Sequence, residues 1–504
     1  MTVTTKTELT DAEKRIDAVD DVTYGDIVWG QFKKNKVAYW SLWGVGTLFL
    51  LAIVAPIIAS ARPFVWTVES GTTYPWFSSL FDRNYYENGV DIFFNLLLVL
   101  GTPMFIGWMI WKKNLHKKIE KKRPRRRMVV LVATSLTTLL FGVFAGMLFH
   151  ESMSLFPGWI ILAGCFGLGV KVLAAKRQVV IGLLAGALLA IIFSPILKGT
   201  LFVGAILAII GLTYKSRPIV IPVVALIGLL LGSIFHPVSQ EYVVYSDAQS
   251  ALEEAGEPVE SIFPVVPYSF RGTGFNPLEG PTPEHIFGID QSTRDVGVRV
   301  LFGTRISLTI GFIAVAIYVT LGIIIGASAG FYGGKVDLAV QRVIEVVMCI
   351  PSFFLILTVI ALVGKPSIFM IMATIGLVRW TGVARLVRGE FLRLRNQDFV
   401  TAAQALGFPT SRIIFQHVLP NALGPVLVAA AFGVASAILL ESSLAFLGLG
   451  DLSAPSWGQT LQEGYSSGAW HLILIPGFTI FFTVLLLNLV GEGVRDAMDP
   501  KMRK

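Results

Sequence analysis

Twelve apolar runs, most of them long enough to cross a bilayer, are strung along this chain and separated by short stretches of alternating charge. A hydrocarbon core about 30 Å thick takes a helix of ~20 apolar residues, and within it every backbone N–H and C=O must be satisfied inside the segment. Such runs can only be helices, so the chain reads as an all-α, polytopic transmembrane bundle. Composition agrees: 54% of the 504 residues are hydrophobic and only 15% are charged, too apolar a mixture for a soluble globule. The formal charge of +8 does not point to nucleic acid, because the basic residues fall in short clusters between apolar spans. Ten of the 41 Lys and Arg lie in the single run 112–127, the mark of a cytoplasmic loop. Cys165 and Cys349 both sit inside apolar runs and support neither a disulfide framework nor a zinc site.

The chain divides at these signals. Residues 1–36 are expected to be a cytoplasmic tail and an interfacial helix, in which Ile27, Val28, Trp29 and Phe32 lie beside a lysine cluster. The first span is 37–61. It ends in Ala59-Ser60-Ala61, which mimics a processing site, but the run is too long for a signal core and is preceded by 36 residues, so an uncleaved helix is expected. Residues 62–235 comprise an extracytoplasmic stretch and an insert of about six spans at 90–111, 128–149, 156–174, 179–194, 200–213 and 219–235. The runs 179–194 and 200–213 are short, and a re-entrant pair is the alternative reading for them. Residues 236–300, with ten acidic residues, three basic ones and seven prolines, form an extracytoplasmic loop. Residues 301–504 carry five more spans at 306–330, 340–363, 368–386, 423–444 and 472–490. The sum is 12 spans with both termini in the cytoplasm, and Arg379, Arg385, Arg388, Arg393 and Arg395 place the polar stretch 399–421 on the same side.

That stretch, FVTAAQALGFPTSRIIFQHVLPN, has the makings of a lever. Ala402 and Ala403 suit a short helix lying flush against another protein, and Gly407 supplies a left-handed corner to end it. Pro409 can open a second short helix with Ile413, Ile414 and Phe415 on its apolar side, and Pro420 can start the next span. The chain holds no phosphate-cradling loop, since Gly333-Gly334-Lys335 is followed by Val336 and lacks the first glycine at the right spacing. No catalytic, cofactor or metal site is expected. Glu441, an ionisable residue in an apolar run with Ser442 and Ser443 beside it, is the candidate for the translocation path, weighed against plain structural hydrogen bonding. Gly322, Gly326 and Gly330, spaced by four, are expected to bring two helices close.

With these residues in view, the chain resembles the second permease subunit of dipeptide and oligopeptide ABC importers. The resemblance rests on residues 27–61 and on a longer block from His285, with RVLFGTRISL (299–308), GFYGGKVD (330–337), SSLAFLGLG (442–450), SWGQTL (456–461) and GEGVRDAMDP (491–500). The family's coupling motif is matched by Ala402, Ala403, Gly407, Leu419 and Pro420, while Thr401 stands where the motif has Glu and His417 where it has Ile. The resemblance implies a type I permease core in the inner membrane, with Thr401, Ala402, Ala403, Gly407, Phe408, His417, Leu419 and Pro420 forming the ATPase-coupling loop. It implies as partners a homologous second permease, ABC ATPase subunits, an extracytoplasmic substrate-binding protein and membrane lipid. The six-span insert is foreign to it. The competing readings are an ion-gradient-driven secondary transporter, which predicts internal repeats that the two halves lack, and a membrane sensor or assembly protein.

Overall fold

The computed structural model describes residues 24–69, 71–82, 85–101, 245–255, 257–364 and 366–499. The tail at 1–23, the basic run 112–127, the insert runs between 128 and 235, Cys165 and the start of the acidic loop at 236–244 lie outside these residues. Among the described residues five helices are long and apolar enough to cross a membrane, and a bent pair makes a sixth.

Helix α1 (Tyr24–Lys34) runs directly into α2 (Lys36–Ile58), the expected first span. Asn35 makes the junction: its side-chain oxygen accepts from the Ala38 N–H at 3.1 Å, satisfying one of the helix's orphan donors. Its amide nitrogen donates to Asp496, 3.1 Å away near the other end of the chain. Phe32 and Ala38 bury themselves against Ala497, so α1 is clamped to the inner end of the bundle.

Near its far end α2 contains Pro56. A proline has no N–H to give to the carbonyl four residues back, so the Ala52 carbonyl loses its helical partner. The fully buried Arg305 takes its place, with Nε donating to the Ala52 oxygen at 2.7 Å. Beyond α2, strands β1 (Val65–Val68) and β2 (Gly71–Thr73), helix α3 (Pro75–Ser79), helix α4 (Gly89–Leu96), helix α5 (Tyr245–Glu254) and strand β3 (Glu260–Ile262) form an outer layer. The sheet is antiparallel in the order β2-β1-β3, with Val65 opposite Ile262. The apolar run expected at 90–111 is seen as helix to Gly101, through a π turn at Leu97–Gly101. It carries Asp91, wholly buried and 3.2 Å from Arg305.

Helix α6 (Val296–Tyr332) is 37 residues long, about 55 Å at 1.5 Å per residue, so the run expected at 306–330 is only its membrane portion. Asp295 caps it, accepting from the Val298 N–H at 2.8 Å. The run expected at 340–363 is not one rod: α7 (Gly334–Cys349) and α8 (Ser352–Val363) meet at 78°. Pro351 causes the break, because its ring drives the preceding Ile350 out of the helical region, to φ −96° and ψ 125°. On α7, Arg342 and Glu345 form an exposed pair, 2.6 Å apart.

Helix α9 (Ile368–Leu394) packs along α6, and the glycine spacing explains how closely. A Cβ on Gly322 would sit 2.5 Å from that of Val383, one on Gly330 would lie 2.6 Å from that of Phe391, and one on Gly326 would strike the Ala384 carbonyl. The chain continues through α10 (Asp398–Ala405), α11 (Thr410–Arg412), α12 (Leu419–Phe446), α13 (Trp457–Ser467) and α14 (Trp470–Met498). On the outer side the loop before α6 folds onto α13: Arg294 bridges Asp290 at 2.8 Å and Glu463 at 3.0 Å. Burial pushes the Glu463 carboxyl above the usual carboxylate range, against the neighbouring arginines.

The Asp91–Arg305 pair gives a direct test of this packing. Asp91→Ala strands a guanidinium in an apolar surround and is expected to lower stability by about 3–5 kcal/mol, whereas the double change Asp91→Leu with Arg305→Met removes both charges and is expected to recover part of that loss. Thermal unfolding of the detergent-solubilised protein measures it; a single variant as stable as the parent would refute the assignment.

Candidate coupling site

The polar stretch after α9 is built from short, strongly determined turns. Helix α10 buries Val400 and Ala403 against the chain's own core and exposes Thr401, Ala402, Gln404 and Ala405. Of the two alanines expected to face a partner, only Ala402 is exposed; Ala403 is 4% exposed because it packs under the next turn. The Thr401 hydroxyl donates to the Asp398 carbonyl at 2.9 Å, within its own helix. The exposed apolar residues here are Phe399 and Leu406, the latter 72% exposed.

Gly407 ends α10 with φ +74°. Its N–H donates to the Gln404 carbonyl at 2.9 Å, and the Phe408 N–H reaches back to the Ala403 carbonyl at 3.1 Å. This is a Schellman turn, which satisfies the helix's last carbonyls and requires the left-handed residue the sequence supplies. Phe408 then stacks on His417, with centroids 5.8 Å apart and planes 16° apart, while the Arg412 guanidinium lies 4.1 Å from the Phe408 centroid. The structure thus brings Phe408 and His417 together and adds Arg412 to them. Among the described residues the buried His417 Nε2 has no hydrogen-bond partner.

The second half differs from expectation in two respects. Ile413 and Ile414 do not form a free apolar side; they are buried in the core with Val400, Ala403 and Val418. Nor does a break precede Pro420. A π turn at Ile413–Val418 joins α11 to α12, and the Leu419 N–H donates to Ile414, five residues back. Pro420 explains the widened turn, since it has no N–H for the residue-416 carbonyl and its ring crowds that carbonyl. The result is one continuous helical rod from Thr410 to Phe446.

At the inner end of α9, Arg388 grips Asp337 of α7 through two bonds: Nη2 to Oδ2 at 2.7 Å and Nε to Oδ1. Such fork-to-fork pairing is directional as well as strong. Together with Arg395, which donates to the Gly330 carbonyl at 3.3 Å, it fixes the platform from which α10 departs. The sequence reading used these arginines only as markers of sidedness; the GGKVD segment that supplies Asp337 was the available signal.

The path candidates near the outer end of α12 separate. Glu441, 2% exposed, accepts from Ser456 at 2.7 Å, Ser307 at 3.2 Å and Ser442 at 3.3 Å. These bonds tie α12 to α6 and to the start of α13. Ser443 points elsewhere, exposed and donating to the Leu439 carbonyl at 2.8 Å. Among the described residues no three His, Cys, Asp or Glu side chains converge as metal ligands do.

Comparison with known proteins adds a family to this geometry. Residues 322–504 match the model for the binding-protein-dependent transport system inner membrane component, and residues 23–73 match the N-terminal TM domain of oligopeptide transport permease C. A dipeptide transport system permease protein DppC from Alkalihalophilus pseudofirmus is 40% identical over 232 residues, which is 45% of this chain and 76% of that one. Oligopeptide transport system permease proteins OppC from Haemophilus influenzae and Bacillus subtilis are 41% and 39% identical, each covering 47% of this chain and 78% and 79% of their own.

The Schellman turn is the part of the site most exposed to a single change. Gly407→Val forces a branched side chain into the left-handed region, at a local cost of roughly 1–3 kcal/mol, and is expected to speed limited trypsin cleavage after Arg412. Gly407→Asn, which tolerates that backbone, is expected to cleave at nearly the parental rate. Equal rates for all three proteins would show that the turn is not what holds the loop.

Proposed function

We infer the work of this chain from one premise: it belongs to the family of inner membrane components of binding-protein-dependent transport systems, among the dipeptide and oligopeptide permeases. It is a permease subunit of an ABC importer, and ATP is hydrolysed by partner subunits. We propose that it passes peptides inward, that the full chain has 12 spans with both termini in the cytoplasm, and that a second permease, ATPase subunits and an extracytoplasmic substrate-binding protein complete the assembly. An even number of insert spans keeps 399–421 on the cytoplasmic side, where an ATPase can reach it.

One observation carries the mechanism: α10 presents an exposed face, and the turn that caps it feeds a helical rod running unbroken from Thr410 to Phe446. Movement of a partner against Phe399, Ala402 and Leu406 is delivered through the Phe408–His417 stack to that rod and so to the outer end of the bundle. The partner shifts the equilibrium only if these contacts differ between its open and closed states. Since Thr401 carries no charge and spends its hydroxyl inside the helix, docking depends on shape and on Leu406 and Phe399. Glu441 and Ser442 belong, on this reading, to the frame that the rod moves against, held by Ser307 and Ser456.

Cysteine placed at Ala402 or at Leu406, in a chain with Cys165 and Cys349 replaced by Ser, is expected to crosslink to an ATPase subunit in the assembled complex, with a yield that changes severalfold between nucleotide-free and ATP-bound states. Ala403→Cys is expected to give little product because the position is buried. No adduct at either exposed position in any nucleotide state would end the lever mechanism.

A further inference from the structure

Arg379 is the only charged residue between Ile368 and Ala384. It is the twelfth residue of the 27-residue α9, about 16 Å from Ile368 and about 22 Å from Leu394 at 1.5 Å per residue, near the middle of a bilayer. Its Nη1 donates to the Ser436 hydroxyl of α12 at 2.6 Å, and among the described residues it has no carboxylate partner. Two buried arginines and a half-buried one do: Arg299 faces Asp290 at 3.3 Å, Arg305 faces Asp91 at 3.2 Å and Arg388 faces Asp337.

A second hydroxyl approaches the same place. Tyr318 of α6 presents its oxygen to Gly433, where even a Cβ would collide with it, and Gly433 lies three residues before Ser436 on one face of α12. A guanidinium and two hydroxyls from three helices therefore gather at mid-depth. Arg379 is also only half buried, so part of the group opens outward from this chain. An unpaired guanidinium against lipid is costly, and ionisable residues at such depth face the bundle interior or a watered cavity.

We propose that Arg379, with Ser436 and Tyr318 beside it, is an anion-binding site on the translocation path that takes a carboxylate of the transported solute. The inference rests on the reading of the chain as a peptide permease. The planar guanidinium fork matches a carboxylate by two parallel bonds, which a Lys cannot do. A peptide of any sequence offers one such group at its carboxyl end. The site therefore holds the part that different peptides share and leaves their side chains free.

The first arm of the test needs no peptide. In membranes carrying the assembled complex, with Cys165 and Cys349 replaced by Ser, Ser436→Cys is treated with an anionic sulfonate and a cationic ammonium methanethiosulfonate. The anionic-to-cationic rate ratio is expected to be roughly tenfold higher with Arg379 present than in the Arg379→Gln variant, from the guanidinium's field at contact distance. An unreactive thiol, or the same ratio in both backgrounds, overturns the site. The second arm follows ATP-driven uptake of a tripeptide pool with free or amidated carboxyl ends. A roughly tenfold fall in the preference for free ends in Arg379→Gln, with partial retention in Arg379→Lys, supports the carboxylate as ligand. An unchanged preference overturns that assignment. Failure of the unsubstituted complex to take up either kind of peptide counts against the peptide reading, while the labelling arm still decides the site.

Discussion

The Arg305 guanidinium is sealed from water, and the arrangement of half the bundle follows from what it must bond to instead. Its donors reach the Ala52 carbonyl at 2.7 Å, the Ile53 carbonyl at 3.4 Å and Asp91 at 3.2 Å, and its plane lies within 5.4 Å of the Phe94 and Phe302 ring centroids. One side chain of α6 therefore registers α2 and α4 against the core. Each contact answers a specific deficit. Pro56 orphans the Ala52 carbonyl, and among the described residues Arg305 is the cation that forms a salt bridge with the buried Asp91. Burying this pair is not a net source of stability, since desolvation offsets much of the attraction, but removing either partner leaves the other in an untenable position. What the pair supplies is a fixed geometry.

That geometry explains how a permease fold accommodates a long insert. The segment between Gly101 and Tyr245 leaves from the end of α4, which Asp91 anchors, and the chain re-enters the described structure at α5 and β3. Strand β3 pairs with β1, and Val266 and Ile58 exchange backbone contact at 2.9 Å, so the segments flanking the insert are stitched together beside the end of α2. Insertions are tolerated where the two ends are already held close, because the host then loses none of its own contacts. The stretch 399–421 is built from residues after α9.

The parts legible in the sequence were those set by local chemistry. The left-handed glycine at 407 and the four-residue glycine spacing each obey a rule that operates within a few residues, and the structure follows them. Three features required the third dimension. Ile413 and Ile414 are equally apolar facing a partner or facing their own core, so only packing against Val400 and Ala403 decides. The π turn before Pro420 arises because α11 and α12 are joined, which a proline read as a helix start does not reveal. Asp91 and Arg305 are 214 positions apart, beyond any periodicity. The bond from Arg379 to Ser436 of α12 is a further long-range feature, since the two residues are 57 positions apart.

The buried polar groups of the bundle then sort by whether the chain completes them. Glu441 has three hydroxyl donors, Arg305 a carboxylate and three carbonyls, and Arg388 a bidentate carboxylate; each is satisfied internally and so fixes one helix against another. A group completed in this way has nothing left for a passing solute, and loosening it would loosen the frame. Arg379 has one hydroxyl and a position only half closed. On the proposed mechanism its remaining bonding capacity lies on the solute's path beside α12, the rod through which coupling would act. A shift of that rod would carry Ser436 with it, and Arg379 on α9 would exchange one partner for another. A transporter needs its solute held in one state and released in the next, and a guanidinium shared between a fixed helix and a moving one has that property.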